Sequence, residues 1–426
     1  MEDYEGSNKG SYEDPMIFPD DFLLDNGELR EGRIKTLSNA DWIEYKNHAL
    51  IIHFAGERTV LGSGPSLGGF QTGLKAVFNQ DGGRTTDMRA PTYEEHMRVV
   101  AREDLNLDPA ACTGLSTAAN MQHASIRQMV YDDFTVTVAA TAGIDTNGGR
   151  VGDPSVWHCR NGEYIPVKPG TINIMIHIDA KLPPDIMVRA LITGTEAKTA
   201  AIQELQLPSR YSHGLATGSG TDGMIIVSDP SSEVVLTNAG KHCKLGEYLG
   251  KAVKDAVKEA LHRQTKAGYK RQHDIIRRLD RYGITKEILT NMYIHADQEP
   301  GLKDRFNDTL RDDKQVTIAA LYAHLLDQID WGLLSPGEAR EMAEVLLCYM
   351  AGKDYYPSGS CTETGDAACK TAYQVACEAS SQTDSEASSQ DLIFTDREEK
   401  DALIRELVDR YLETFISIVT SNSSQG

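Results

Sequence analysis

The run from Thr171 to Asp179 is the stretch of this sequence best suited to chemistry. Thr171, Asn173 and His177 alternate there with four isoleucines. Because alternate residues of a β-strand point to the same side, the polar set faces a cleft or a second layer of structure. A threonine hydroxyl in a cleft can act as a nucleophile when a base removes its proton. The plainer alternative is that Thr171 only begins a strand.

Histidines and thiols offer two further kinds of site. A hydrolytic zinc site is an alternative that could draw on His158, His177, His213 and His242, with Asp153, Asp179 or Glu247. No HExxH motif or comparable spacing supports it, so hydrogen bonding or substrate contact is the favoured role of these histidines. His242, close to a helix start at Leu245, is the best candidate for substrate contact. Cys159 and Cys243 lack a recognised acyl-transfer setting and are interpreted as buried thiols.

Strands and helices must position these residues. Short β-branched segments predict strands at 50–54, 134–138, 171–179 and 224–227, and Gly-rich turns follow the first two. Apolar residues at helical spacing predict helices at 185–206, after Pro183-Pro184, and at 245–261. We therefore expect an α/β (α+β) fold with layered mixed sheets covered by helices, for which αββα is one candidate layering.

The second half of the chain differs in character. Almost every segment from Tyr269 to Lys353 has a helical pattern, and Asp396 to Thr420 is again amphipathic. A C-terminal all-helical appendage is therefore expected. The predicted organisation is a mobile tail at 1–31, the α/β domain at 32–263, the helical appendage at 264–356, a Ser/Thr-rich linker at 357–392 and a C-terminal helix at 393–426.

Composition limits the possible partners. Acidic residues outnumber basic ones, 63 to 43, and the net charge of −20 repels phosphate backbones and anionic surfaces, so no nucleic acid is expected. No apolar run approaches the roughly 20 residues of a membrane span. The acidic start lacks the features of a secretory signal, which predicts a cytoplasmic protein. The cysteines number seven, and the first four form no CxxC pair, which predicts reduced thiols. The oligomeric state is left open.

Five motifs in one order resemble the adenosylcobinamide amidohydrolase family over roughly residues 35–263. They are Gly114-Leu115-Ser116-Thr117-Ala118-Ala119; Ala142-Gly143 to Asn147 with Gly152-Asp153-Pro154; Pro169-Gly170-Thr171-Ile172-Asn173 through Arg189 to Thr193 and Glu196-Ala197-Lys198-Thr199-Ala200; Ala216-Thr217-Gly218 with Gly220-Thr221-Asp222; and Gly240-Lys241-His242 with Lys244-Leu245-Gly246-Glu247.

This resemblance implies hydrolysis of the amide that joins aminopropanol to the corrinoid ring of adenosylcobinamide, giving adenosylcobyric acid for salvage or remodelling. The implied partner is a small-molecule corrinoid. No cofactor is expected, since the substrate itself contains cobalt. The implied substrate-binding residues are Asn173, His177, Glu196, Lys198, Ser219, His242 and Glu247. The alternative is a corrinoid-binding or corrinoid-sensing protein without turnover.

A more distant resemblance concerns mechanism. The run Thr171 to Ala180 is similar in spacing to a strand of the self-processing serine aminopeptidases and of ornithine acetyltransferase, whose first Ser or Thr is the nucleophile. Thr171 falls on that position, Asp222 on an acidic residue after a Gly-rich loop, and Asn147 near an oxyanion-stabilising Asn. The catalytic candidates are therefore Thr171, Asp222, Thr221 and Asn147.

Hydrolysis of an amide requires a nucleophile, a proton for the leaving amine and stabilisation of the oxyanion. The base could be the α-amine of Thr171, freed by self-cleavage after Gly170, or a neighbouring group in an uncleaved chain. Thr221 and Asp222 could orient or deprotonate the nucleophile, and Asn147 or the backbone amides of 218–220 could hold the oxyanion. A polar turn is the alternative for this loop.

Overall fold

A computed structural model describes residues 27–82, 88–155, 170–294, 301–353, 355 and 397–421. The chain divides into two compact units, Met1–Arg271 and Gln272–Gly426. The predicted linker at 357–392 lies outside the described residues. Part of the predicted N-terminal tail is packed, because Leu29 is 3% exposed and its backbone amide donates to Gln122 Oε1 at 2.5 Å.

The described residues of the first unit form one mixed sheet of nine strands. The strands are β1 (Gly32–Thr36), β2 (Trp42–Lys46), β3 (Ala49–Gly62), β4 (Gly69–Asp81), β5 (Cys112–Thr117), β6 (Ser125–Tyr131), β7 (Phe134–Gly143), β8 (Thr171–Ile178) and β9 (Gly223–Ser228). Their order is β1-β2-β3-β9-β8-β7-β6, and β4 pairs with both β3 and β5. The pairs β4–β5 and β8–β9 are parallel, and the others are antiparallel.

Helices accompany this sheet at several points. They are α1 (Tyr93–Val99), which continues into a π-helical turn at Val100–Asp104, then a 3₁₀ turn at Met121–His123, α2 (Pro184–Glu204), α3 (Lys244–Thr265) and the short α4 (Tyr269–Gln272).

The sheet folds over itself at the long strand β3. Register shifts between His53 and Thr59 divide β3 into a part that pairs with β2 and β4 and an end that pairs with β4 and β9. One apolar core lies between the two layers of strands and includes Leu50, Val77 and Met175. A second core joins β7 to β9 with α2 and α3, and a third joins β3 and β4 with α1. The observed layering is therefore αββα, built from one folded sheet.

Strand β8 confirms the alternation expected from the sequence. Ile172, Ile174, Ile176 and Ile178 are 0% exposed and pack in the core shared with α2 and α3. Burial of each of these side chains contributes about 2 kcal/mol. The opposite set, which begins with Thr171, therefore faces the second layer of strands.

The described residues of the second unit are helical. The helices are α5 (Ile275–Leu279), followed by a 3₁₀ turn at Asp280–Tyr282, then α6 (Lys286–Ile294), α7 (Leu302–Thr309), α8 (Asp313–Trp331), α9 (Pro336–Met350) and α10 (Arg397–Ser421). Helix α10 supplies Leu407, Tyr411 and Phe415 to the same core as the other helices, so it is part of the unit. Each helix in the described ranges is too short or too polar to span a bilayer.

Candidate active site

Thr171 is the first residue of β8 and lies between β7 and the loop that precedes β9. It is 4% exposed, and its Cα pairs with Gly143 of β7. Its hydroxyl donates to the carbonyl oxygen of Thr221 at 2.7 Å. The next amide, of Ile172, donates to Asp222 Oδ1 at 3.0 Å. The loop before β9 therefore holds both the hydroxyl and the backbone at the start of β8.

The carbonyl group of Gly170 precedes this hydroxyl and receives two hydrogen bonds. Asn147 Nδ2 donates to it at 2.5 Å, and Thr221 Oγ1 donates at 3.1 Å. Two donors that converge on one carbonyl oxygen form the arrangement that stabilises an oxyanion during acyl transfer. The fold thus brings Thr171, Thr221 and Asn147 together around one peptide bond, although they lie far apart in the sequence.

Only glycine fits at position 170. Its φ is +137°, and an added Cβ would lie 2.3 Å from Asn147 Oδ1 and 2.7 Å from the carbonyl oxygen of Gly143. The chain therefore passes close to Asn147 because no side chain separates them.

Asn147 is fixed by the loop that carries it. It is 4% exposed and follows β7 by four residues. Gly149 N donates to Gly218 O at 2.9 Å, and Thr217 N donates to Gly149 O at 2.8 Å. These hydrogen bonds tie the Asn147 loop to the loop before β9, so the two donors of the site belong to one connected structure.

Asp222 organises the loop before β9. Its carboxylate accepts hydrogen bonds from Ser219 N at 3.0 Å and Ser219 Oγ at 2.7 Å, and it pairs with Lys198 of α2. A Cβ on Gly218 would lie 2.1 Å from Asp222 Oδ2 and 2.6 Å from Lys198 Nζ. The hydroxyl of Thr171 donates to the carbonyl of Thr221 and not to the carboxylate of Asp222. The contacts of Asp222 with Ser219 and Lys198 instead hold the loop in position.

Asn173, two residues along β8, lies in a buried chain of hydrogen bonds. Its Nδ2 donates to Ser116 O and to Asn79 Oδ1, each at 2.9 Å. Asn79 Nδ2 in turn donates to Thr141 Oγ1 at 2.9 Å. Asn79 and Thr141 were not predicted from the sequence. Asn79 begins the polar end of β4 after Ala76-Val77-Phe78, and Thr141 is one of three threonines in β7, so neither stands out locally.

His177 lies at the opposite end of β8. It is six residues from Thr171, or about 20 Å in an extended strand. His177 is 1% exposed, and its Nε2 lies 2.8 Å from Asp41 Oδ2, which also pairs with Arg58. Burial raises the pKa of Asp41, but hydrogen bonds from His177, Arg58 and a backbone amide outweigh this and hold it below its usual value. The structure therefore gives His177 a place in a buried ion network and does not bring it to Thr171.

Three other predicted residues lie at the surface, Glu196 on α2, Glu247 on α3 and His242 in the turn before α3. Glu196 pairs with Lys241 at 2.7 Å, and its side chain is 50% exposed. Glu247 pairs with Lys251 and Lys244, whose hydrogen bonds lower its pKa to about 2. The side chain of His242 is exposed. None of the described hydrogen bonds joins these three residues to the Thr171 site.

The described residues contain no group of three or more His, Cys, Asp and Glu side chains that could hold a metal ion. His158 and Cys159 lie outside the described ranges. Cys243 is half-buried and caps the N-terminus of α3, where its sulfur accepts the amide hydrogen of Gly246.

The chain has distant structural neighbours. A beta-aminopeptidase of Burkholderia sp. has a TM-score of 0.29 and 14% identity, covering 51% of this chain and 79% of its own. The L-aminopeptidase D-Ala-esterase/amidase of Ochrobactrum anthropi has a TM-score of 0.26 and 13% identity, covering 55% and 80%. At this level of similarity, the roles of individual residues rest on the geometry of this chain.

Sequence relatives are more informative. An uncharacterized protein of Methanocaldococcus jannaschii is 33% identical over 256 residues, which cover 54% of this chain and 98% of the relative. A protein of Methanosarcina mazei named Adenosylcobinamide amidohydrolase is 30% identical over 203 residues, covering 46% and 86%. Residues 34–269, more than half of the chain, match the profile of the family described as Adenosylcobinamide amidohydrolase. This chain therefore belongs to the adenosylcobinamide amidohydrolase family.

Proposed function

We propose that this protein hydrolyses the amide that joins aminopropanol to the corrinoid of adenosylcobinamide, and so releases adenosylcobyric acid for salvage or remodelling. Membership of the family and the name of the Methanosarcina mazei relative support this substrate. The observation that carries the chemistry is local. A carbonyl oxygen that accepts two hydrogen bonds lies next to a buried threonine hydroxyl.

The nucleophile in this proposal is Thr171, and its activation begins with cleavage of the Gly170–Thr171 peptide bond. The threonine oxygen attacks the carbonyl carbon of Gly170, and the donors on Asn147 and Thr221 stabilise the negative charge that develops on the oxygen. Collapse of this intermediate breaks the C–N bond, and the proton released by the hydroxyl passes to the departing nitrogen, which leaves an ester to the threonine oxygen and an amine on Thr171. One water molecule hydrolyses the ester, which leaves a carboxylate on Gly170 and a free hydroxyl on Thr171.

The new α-amine supplies a base for turnover. Before cleavage, the hydroxyl of Thr171 donates to the carbonyl of Thr221, which cannot take its proton. After cleavage, the amine takes that proton as the oxygen attacks the substrate amide, and it returns the proton to the departing aminopropanol nitrogen. The resulting corrinoid ester of Thr171 is hydrolysed by a water that the same amine deprotonates. Departure of Gly170 leaves Asn147 and Thr221 to stabilise the substrate oxyanion.

The other predicted residues have different roles in this proposal, according to where they lie in the fold. Asp222, Lys198 and Ser219 keep the loop before β9 in the geometry that presents Thr221. His177 stabilises the fold through Asp41. The surface residues Glu196, His242 and Glu247 are proposed to contact outer parts of the corrinoid, because their charged and polar groups are accessible to a large ligand.

The direct test is incubation of the purified full-length protein with adenosylcobinamide, followed by detection of adenosylcobyric acid and aminopropanol. Thr171→Ala is expected to abolish product, and Thr171→Ser, which retains a hydroxyl, is expected to preserve part of the activity. Binding of adenosylcobinamide without product would instead establish the corrinoid-binding alternative. Thr171→Ala with full activity would exclude Thr171 as the nucleophile.

The mass of the purified chain tests the activation step. Cleavage before Thr171 gives fragments of 170 and 256 residues, whereas an uncleaved chain has the full mass of 46.8 kDa. A single full-length species with amidohydrolase activity would overturn self-cleavage and leave Thr171 to be activated by a neighbouring group.

A further inference from the structure

We infer that Asn173 is an acceptor for the N–H of the scissile amide and that Asn79 is the positioning residue that turns it toward the substrate. The inference rests on the proposed function and adds a basis for selecting amides over esters.

The carboxamide of Asn173 can lie in only one orientation. The carbonyl oxygen of Ser116 is 2.9 Å from one end of it, and a backbone carbonyl only accepts hydrogen bonds. The end facing Ser116 is therefore the NH₂ group. The same NH₂ group donates to Asn79 Oδ1 at 2.9 Å, which uses its second hydrogen.

The orientation of Asn173 fixes that of Asn79. Because the NH₂ group of Asn173 donates to Asn79, the facing atom is Asn79 Oδ1, and the NH₂ group of Asn79 donates to Thr141 Oγ1 at 2.9 Å. Asn79 and Asn173 are each 1% exposed, as is Thr141. Buried side chains on β4 and β7 thus hold the amide of Asn173 on β8, and a polar network of this kind specifies a single geometry.

The oxygen of Asn173 is the end of this network that remains available. Within the described ranges, no hydrogen bond reaches Asn173 Oδ1. The atom lies over Gly223, where an added Cβ would be only 2.9 Å from it. Because this oxygen has no partner and is not fully enclosed, a donor that a ligand brings can reach it.

The position of this oxygen suits the scissile amide. Thr171 and Asn173 are alternate residues of β8 and face the same side of the sheet. Gly223, which lies under the oxygen, is two residues after Thr221, whose carbonyl accepts the hydroxyl of Thr171. An amide at Thr171 presents an N–H to an acceptor beside it, whereas an ester presents an oxygen with no hydrogen to donate. A site built to bind an N–H discriminates against a ligand that lacks one.

The test compares two substrates with the same acyl group, the propylamide and the propyl ester of adenosylcobyric acid at the carboxyl that carries aminopropanol. Asn173→Leu is expected to lower kcat/KM for the amide about tenfold relative to the ester, the value of one hydrogen bond. Asn79→Leu should lower the same ratio, and Asn79→Asp, which keeps an acceptor toward Asn173, should restore it. Each ratio is measured on one protein sample, so a partly unfolded fraction cancels.

A matched control removes a similar hydrogen bond elsewhere in the sheet. Gln128 Nε2 donates to Thr137 Oγ1 at 3.1 Å between β6 and β7, and Gln128→Leu should leave the amide-to-ester ratio unchanged. Ratios in the Asn173 and Asn79 variants equal to that of the unmodified protein would overturn this inference alone. Failure of the unmodified protein to hydrolyse either compound would instead overturn the proposed function, and this inference with it.

Discussion

Removal of the Asn147 side chain is the perturbation whose outcome the site geometry constrains most closely. In Asn147→Ala, the carbonyl of Gly170 loses the donor at 2.5 Å and keeps the one from Thr221 at 3.1 Å. Loss of one donor from an oxyanion site slows acyl transfer about 100-fold to 1,000-fold, which corresponds to about 3 to 4 kcal/mol of transition-state stabilisation. The same donors serve the Gly170 carbonyl and then the substrate carbonyl, so both reactions should slow by a similar factor.

Two assays measure this effect. The mass of the chain, followed over time after synthesis, gives the rate of cleavage before Thr171, and release of aminopropanol from adenosylcobinamide gives the rate of turnover. The cost to folding should be modest, because one neutral hydrogen bond contributes about 1 kcal/mol, and a thermal melt checks that the variant is folded.

Thr221 offers the matched comparison. Thr221→Val removes the second donor and Thr221→Ser retains it, so the valine variant should be slow and the serine variant close to normal. Cleavage and turnover that remain within twofold of the unmodified rates in folded Asn147→Ala would refute the oxyanion role of this residue.

Three further predictions concern backbone space, pH and the helical unit. Gly170→Ala places a Cβ 2.3 Å from Asn147 Oδ1 at a φ of +137°, so cleavage and turnover should both be lost in a protein that still melts cooperatively. The pKa of Asp41 is lower in the folded chain than its unfolded value of about 3.9. The stabilisation that ionised Asp41 provides is therefore fully present above that pH and is lost as the pH falls through the folded pKa. Urea titrations below about pH 4 should show a smaller slope of unfolding free energy against pH in Asp41→Asn than in the unmodified protein. Arg281→Leu leaves the buried Asp327 carboxylate without its cation and with the hydroxyl of Tyr282 as its remaining partner, so it should reduce the stability of the helical unit by about 3 kcal/mol, whereas an unchanged denaturation midpoint would contradict this.

The sequence predicted the strand that carries Thr171 because strict alternation over eight residues is a strong local signal. It could not predict how far along that strand the site extends. His177 lies on the same side of the sheet as Thr171, yet it belongs to the network of Asp41 and Arg58, which comes from a distant part of the chain. Two residues on the same face of a strand can lie at opposite ends of it and so belong to different sites.

Helix α2 illustrates the same difference. Glu196 and Lys198 occur in one motif, but residues two apart on a helix point in different directions. Lys198 reaches Asp222 and is 9% exposed, whereas Glu196 pairs with Lys241 at the surface. The role of Asn79 could not be predicted because it depends on the pairing of β4 with β5 and on the fold of the sheet that faces it toward β8.

The central claim is that the hydroxyl of Thr171 attacks the substrate amide, and trapping of the covalent intermediate tests it most directly. The protein is mixed with adenosylcobinamide, quenched in acid during the first turnover, digested and examined by mass spectrometry. The proposed mechanism predicts a peptide with Thr171 at its amino terminus that carries a cobyric acid group in ester linkage on the threonine oxygen. Complete turnover with unmodified Thr171 at every quench time, together with normal activity of Thr171→Ala, would contradict it.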